Sequence, residues 1–563
     1  MSKPVSSQLI KRLFAPTTLA ISLALVGCGG SGDNKTASAS GTAASAKIDP
    51  SQLADKQELV INNTADPVSL DPHKIDGVVE GNIVRQMFEG LVQTDDEGKT
   101  IPGMAEKWES PDNKVWTFHL RDAKWSNGDP VTADDFVYSF QRLADPKTAS
   151  PYASYLEDAK VVNATDVLSG KMKPTDLGVK AIDAKTFQVT LSDGVPYFAD
   201  MLALFVMSPV HKASVEKFGD KWTDPANIVV NGAYKLNNWA VNEKIVLDRN
   251  KTYYDDAKTH INKVTFLALT DGTADLARYR TGEIDISAGT FPTEQFNEIK
   301  NEMGSELNIA PALCTFYFGF NTEKAPFNDV RVRKALALTL DREVVTDKIL
   351  GQGQAPAYQF TPVSTAHIGK FEPEWKAWDK SKRIEEAKKL LTEAGYSAEK
   401  PATFELLYNT DETNKKLAVA VTEMWKQSLG GMVNGTLKNQ EWKTYLATRK
   451  KGDYQAMRAR WCGDYNEPST FLNLLRSNSS YNDLRYKSKE FDSLMDQTLA
   501  PGVDTAKRSE LYAQAEAQAE KDMPMIPVFT FVGVHLNKPY VLGVSHKDPL
   551  GYYQVKKYSI AKH

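Results

Sequence analysis

Cysteine is scarce in this chain: Cys28, Cys314 and Cys462 are the only three in 563 residues. The eight histidines are scattered, and no pair has metal-ligand spacing such as His-Glu-x-x-His. With the cysteines committed elsewhere, a zinc site has no evident ligands. Long apolar runs are missing as well. The stretch from Leu13 to Val26 falls short of the ~20 residues a membrane span needs. The longest later run, Met201 to Met207, has the length of a buried strand or a short helix. Strong charge of either sign is absent, with a net charge of −4, so nothing points to nucleic acid or an acidic membrane as partner. There is no Gly-x-Ser-x-Gly elbow and no phosphate loop. Gly351-Gln352-Gly353 lacks a third glycine and reads as a helix end. The acidic pairs Asp134-Asp135 and Glu385-Glu386 lie in helical patterns and read as solvated faces. No cofactor or metal is indicated; a triad assembled from distant segments stays open.

The N-terminus, by contrast, carries a clear signal. Lys3, Lys11 and Arg12 precede the apolar stretch that ends at Leu23-Ala24-Leu25-Val26-Gly27-Cys28. This is a secretory signal, residues 1–27, with Cys28 at the cleavage point as the site of lipid attachment. A diacylglyceryl group with an N-terminal acyl chain anchors stably. From Gly29 to Ala46 the chain is rich in Gly, Ser, Ala and Thr, and residues 28–55 are expected to form a flexible leash. The other two cysteines then lie in an oxidising compartment, where they form one bridge or remain buried thiols.

The body is too long for a single core. Leu59-Val60-Ile61 reads as a strand, and Val115 to Leu120 alternates with period two, as a half-buried strand does. Trp125-Ser126-Asn127-Gly128-Asp129 marks a turn, and Thr132 opens a helix with an acidic first turn. Asp329 and Ser381 are expected to cap helices, the second ending at Gly395. Phe404 to Tyr408 reads as a strand, and a helix with Leu417, Val421, Met424 and Trp425 on its apolar face follows. Alternating strands and helices without repeats predict α/β lobes.

Longer motifs sharpen this reading. Met104-Ala105-Glu106-Lys107-Trp108 and Trp116 to Arg121 are followed by Lys124-Trp125-Ser126-Asn127-Gly128-Asp129-Pro130-Val131-Thr132-Ala133-Asp134-Asp135-Phe136. Ala325-Pro326-Phe327-Asn328-Asp329-Val330-Arg331-Val332-Arg333-Lys334-Ala335-Leu336 and Trp461-Cys462-Gly463-Asp464-Tyr465-Asn466-Glu467-Pro468 come later. From about Glu58 to His563 the chain resembles the extracytoplasmic oligopeptide-binding proteins of bacterial ABC importers, solute-binding protein family 5. The resemblance implies a two-lobed, Venus-flytrap α/β fold with an extra inserted domain. Lobe I would comprise residues 56–88, 213–313 and 532–563, the extra domain 89–212, and lobe II 314–531. It also pairs Cys314 with Cys462, and it implies a binding protein without enzymatic activity. Its partners would be an oligopeptide, an ABC permease of two membrane subunits with ATPases, and the membrane through the lipid. The protein would be a periplasmic or extracytoplasmic monomer.

The resemblance also nominates the site. A receptor for many peptides must read their shared ammonium, backbone and carboxylate. Asp464 matches the acid that pairs with the ammonium; such a desolvated pair is strong, and an unpaired partner is costly. The backbone is read by strand addition, with side chains alternating into separate pockets. Trp442 and Trp461 match pocket tryptophans, and Cys462 lies beside them in the motif. Arg449 and Arg458 match arginines that meet the ligand carboxylate. Tyr152 and Tyr317 match cleft tyrosines, and Asp76 stands where the family has Glu. Other positions depart from the pattern: Asn414 stands for His, Gly319 for Glu, Arg460 for Gly, and Ala288, Ala312 and Thr530 for Tyr. An inward Arg460 would favour acidic peptides. Rival readings are a receptor for murein peptides, an exported hydrolase, and a tethered chaperone or adhesin.

Overall fold

The computed structural model describes residues 50–479 and 481–563; the signal segment, Cys28 and the Gly29–Ala46 stretch lie outside the described residues. Three principal sheets arise from different parts of the chain. The first runs Glu58–Asn62, Lys263–Leu267, Lys244–Arg249, Tyr234–Ala240, and only its first pair is parallel. The second is antiparallel throughout, in the order Ala105–Glu109, Val115–Leu120, Thr186–Thr190, Val179–Asp183. The third has six strands: Ala355–Pro356, Met525–Leu536, Leu307–Phe320, Ala456–Cys462, Ala402–Asn409, Val433–Gln440.

Side-chain alternation explains how each sheet packs. In Val115–Leu120 the even positions Trp116, Phe118 and Leu120 are buried and the odd ones half-buried, as the period-two pattern predicts. The six-stranded sheet has a separate core on each face. Phe316, Phe318 and Phe320 join Leu406 and Trp425 on one side, whereas Tyr317, Met457 and Ala459 join Phe471 and Tyr512 on the other.

Helix ends follow the local chemistry. Asp329 accepts from the Arg331 amide and caps Val330–Thr339 as expected. The helix Lys380–Glu393 starts earlier than Ser381 predicts: Asp379 accepts from the Lys382 amide, and Ser381 lies inside the first turn. Both residues are good caps, and the extra turn favours the earlier one. Asp135 departs from the solvated reading of its acidic pair. Its carboxylate accepts from the Thr132 amide and the Trp125 indole, closing the start of Ala133–Ala144. Gly351 and Gly395 take positive φ beyond helix ends, as expected. Leu53 and Ala54, inside the expected leash, bond Ala561 and Ile560, so the docked body begins before residue 56.

Two long strands, Leu307–Phe320 and Met525–Leu536, pair over most of their length but not continuously. Residues Leu307–Pro311 face Leu536–Val532, the register breaks, and Thr315–Gly319 face Thr530–Met525. The lobe boundary expected at 313/314 falls inside this break. Cys314 lies at its edge, directly across from Cys462, and the two form a disulfide with Cα atoms 4.0 Å apart. The bridge spans 148 residues, for which chain-entropy arguments give roughly 5 kcal/mol. Replacing both cysteines by serine is expected to lower the unfolding free energy by about 2–5 kcal/mol in a denaturant titration.

A buried ionic knot joins the loop Ser69-Leu70-Asp71-Pro72-His73 to the helix Ala133–Ala144. Arg142 donates to both oxygens of Asp71, at 2.9 and 2.5 Å, and Trp222 Nε1 donates to Oδ2. Arg142 also bonds His73 Nδ1 at 2.8 Å, so that nitrogen is the acceptor and Nε2 carries the proton toward the Ser208 carbonyl. Burial, with help from the Arg142 charge, pushes the His73 pKa down to about 4. A depressed histidine contributes stability above its ordinary pKa of 6.5 and loses it as pH falls through 4. His73→Gln is therefore expected to remove about 3 kcal/mol of acid sensitivity between pH 6.5 and 4, read as a flatter plot of unfolding free energy against pH.

Candidate functional site

The strand Ala456–Cys462 leads directly to Asp464. Beyond Cys462 the ladder stops, and the Gly463 amide bonds the Leu313 carbonyl. A Cβ on Gly463 would approach Thr470 and Phe471 to about 3 Å, so this close turn suits glycine. The Asp464 amide then donates to Thr470 Oγ1 at 3.0 Å, which fixes the carboxyl's direction. Its Oδ1 accepts from the Tyr152 hydroxyl at 3.0 Å, a bond between the 89–212 segment and the 314–531 segment. Ser154 and Tyr481 meet at 3.0 Å nearby, and the Tyr197 and Tyr465 rings stack at 5.8 Å across the same junction.

Asp464 opens onto a cavity of about 230 Å³. Asp76, Arg85, Tyr152, Cys462 and Asp548 line it too, with residues 310–314 from the break between the long strands. Asp464 is half-buried, and its desolvation pushes the carboxyl pKa up to about 7. The Tyr152 hydrogen bond and the Arg85 charge oppose this rise, whereas nearby Asp158 adds to it. The site is thus an acid short of a counter-charge, suited to a cation.

The other nominated residues lie elsewhere. Arg449 and Trp442 share the helix Trp442–Lys451. Arg449 is already paired, with Nη2 and Nε 2.8 and 3.1 Å from Asp483 Oδ2. Trp442 is 48% exposed and stacks on Tyr445. Arg458 is buried, its Nε has no hydrogen-bond partner, and its guanidinium lies 5.7 Å from the Phe316 ring. Tyr317 is buried against Phe360, and Asn414 donates to Asn409 Oδ1 at 3.1 Å. Trp461 is half-buried, donates to the Thr470 carbonyl at 2.7 Å and packs on Tyr481. Two groups emerge, an acidic one around Asp464 and a basic one around Arg449 and Arg458. The strand Ala456–Cys462 links them.

Among the departures, Ala312 lines the cavity, where a small residue leaves room. Arg460 is exposed, 5.9 Å from the Phe531 ring, and does not line this cavity. Gly319 is packed against the side-chain ends of Leu484 and Met457, which would have to shift to admit a side chain there. Sequence reasoning missed Arg85, Asp548 and Tyr552. The turn Asp548-Pro549-Leu550-Gly551 was the available signal, but nothing local ties it to Asp464. Among the described residues no cluster of three or more His, Cys, Asp or Glu is placed to hold a metal, and no helix is long and apolar enough to cross a membrane.

Fold and cavity together define a two-lobed binding protein, and the comparisons place it. Residues 99–483 match the family described as bacterial extracellular solute-binding proteins, family 5. The chain belongs to that family. It is 56% identical over 513 residues to the periplasmic oligopeptide-binding protein OppA of Salmonella typhimurium, covering 91% of this chain and 94% of that one. Among solved structures it resembles Haemophilus influenzae OppA in complex with the peptide RPPGFSPFR, with TM-score 0.79 and 47% identity over 91% of this chain and all of that one. It also resembles the Escherichia coli murein tripeptide binding protein MppA, with TM-score 0.81 and 42% identity over the same shares.

The raised pKa of Asp464 has a measurable consequence. A carboxyl whose folded pKa lies above its ordinary 3.8 favours the folded state at low pH, and this advantage is lost as pH rises through 7. Without ligand, Asp464→Asn is expected to gain stability over the parent between pH 5 and 8, by up to about 4 kcal/mol, in parallel denaturation curves.

Proposed function

We propose that this protein is the substrate-binding component of an ABC importer that captures short oligopeptides and delivers them to a membrane permease. The observation that carries the reading is the half-buried carboxyl of Asp464, which lines the cavity without an ion-pair partner among the described residues, in a chain 56% identical to an oligopeptide-binding relative. The ligand's α-ammonium pairs with Asp464, displacing or sharing the Tyr152 hydroxyl. Its carboxylate points toward Arg458 and Arg449. Six residues separate Arg458 from Asp464 along the chain. At ~3.3 Å per residue that is at most about 20 Å, the span of an extended peptide of up to about six residues. Trp461 and Trp442 flank the side chains.

Residues 56–88, 213–313 and 532–563 act as lobe I, 89–212 as the extra domain and 314–531 as lobe II. Ligand contacts from all three are complete only when they close, so binding shifts the population toward closure. Cys28 carries the lipid and holds the protein at the periplasmic face of a membrane, as a monomer. Its work is binding rather than catalysis, with ATP used by the permease. The murein-peptide reading is weaker: identity to the murein peptide-binding relative is 43%, against 56% for the oligopeptide-binding one.

Isothermal titration with trialanine and N-acetyl-trialanine tests the anchor. Blocking the amine is expected to weaken binding on the order of 100-fold, because a buried charge is left unpaired. Equal affinities for the two peptides would remove Asp464 from this role.

A further inference from the structure

Resting on the oligopeptide reading, we propose that the buried pair Glu467–Arg508 positions Asp464: it anchors the turn that carries the acid, so that the carboxyl meets the ligand's ammonium at a fixed place. Neither residue lines the cavity that holds Asp464, so both act through it. Arg508 Nε and Glu467 Oε1 lie 3.3 Å apart, with the glutamate fully buried and the arginine nearly so. The contact is ionic rather than hydrogen-bonded, since neither atom has a hydrogen-bond partner.

The turn from Gly463 to Thr470 folds back on itself around Glu467. The Asp464 amide donates to Thr470 Oγ1 at 3.0 Å, and the Thr470 amide donates to the Glu467 carbonyl at 3.2 Å. The Ser469 amide donates to Glu467 Oε2 at 2.8 Å, and the Glu467 amide to the Tyr465 carbonyl at 3.0 Å. Asp464 and Glu467 are thus joined through Thr470 alone, while the second carboxylate oxygen of Glu467 faces Arg508. Arg508 belongs to another element, the helix Thr505–Asp522, whose Tyr512 and Ala515 lie in the core on one face of the six-stranded sheet. Trp461 Nε1 and the Ala366 amide also tie the turn, by bonds of 2.7 Å to the Thr470 carbonyl and to Asn466 Oδ1, but those groups are neutral. Among the described residues, Glu467–Arg508 is the only ion pair this turn makes.

Two acids of one turn therefore have different fates. Asp464 is left for the ligand, and Glu467 is committed to the fold. A buried ion pair adds little net stability, yet removing one member strands the other without compensation. Its contribution here is registry, because the turn satisfies Arg508 only when Glu467, and with it Thr470 and the Asp464 amide, stand in one place. A charged anchor needs such support, since a binding group must be held within about 0.5 Å of its productive position.

Calorimetric titration with trialanine, N-acetyl-trialanine and trialanine amide tests this in the parent, in Glu467→Gln and in Arg508→Lys, with folding checked by circular dichroism. Blocking the amine is expected to weaken binding on the order of 100-fold in the parent and only about tenfold in Glu467→Gln, because a displaced carboxyl discriminates less. Arg508→Lys keeps the charge and is expected to keep most of the parent's penalty. The penalty for amidating the far carboxylate should be the same in all three proteins. An amine penalty unchanged in Glu467→Gln overturns the proposal and leaves the pair a structural tie, even where the unfolding midpoint falls. A fall in both penalties together also overturns it, since that marks a site loosened throughout. Should Glu467→Gln fail to fold, the double variant Glu467→Gln/Arg508→Met, which strands no charge, is read by the same criterion. If trialanine does not bind the parent, the oligopeptide reading falls; if blocking its amine costs the parent nothing, the Asp464 anchor falls. Either result takes this inference with it.

Discussion

A carboxyl group partly withdrawn from water is the constraint on which the site depends. Asp464 is held by its own amide on Thr470 and by the Tyr152 hydroxyl, neither of which carries a charge. Of the charges that act on it, that of Arg85 offsets part of the cost of ionising it and that of Asp158 adds to it. An ionised carboxyl without a partner is unfavourable there, because its desolvation is not repaid. The stretches 89–212 and 314–531 meet at it through the Tyr152 bond; if they parted, the carboxyl would be hydrated.

The six-stranded sheet lets these parts approach without losing their own integrity. Each of its faces has a complete core, so the sheet keeps its shape independently of the cavity. The ladder between its two longest strands is interrupted beside the cavity, where residues 310–314 supply wall rather than regular pairing. Backbone irregularity of this kind concentrates compliance in a few residues while the paired lengths on either side stay rigid. The disulfide at the edge of the break ties Cys314 to the end of the strand Ala456–Cys462, two residues before Asp464.

Much of the architecture was legible because it is local. The alternation in Val115–Leu120, the Asp329 cap and the buried face of Trp425 follow from neighbours a few residues apart. Where two local choices were nearly equal, the sequence did not discriminate, as with Asp379 and Ser381. Asp464 was legible through the motif around it, not through its own chemistry, since an aspartate after glycine reads equally as a turn residue. Arg85, Asp548 and Tyr552 were illegible for a different reason. Their proximity is created by tertiary folding between distant segments, and each alone looks like an ordinary helix, turn or aromatic residue. Arg449 illustrates the converse: its identity suggested a free cation, but its partner Asp483 lies in another segment.

The ends of the folded body are stitched together. Gln57 bonds both the carbonyl and the amide of Ile560, Ala54 bonds the Ile560 carbonyl, and the first strand pairs with Lys263–Leu267. Ala54 and Gln57 thus find these neighbours only after nearly all the rest has been made. A polypeptide with such distant pairings folds slowly, which favours threading through a narrow translocation pore before the native structure forms. A product cut short by a few dozen residues would lack both the seam and part of the pocket wall, and would reach its destination unable to hold cargo.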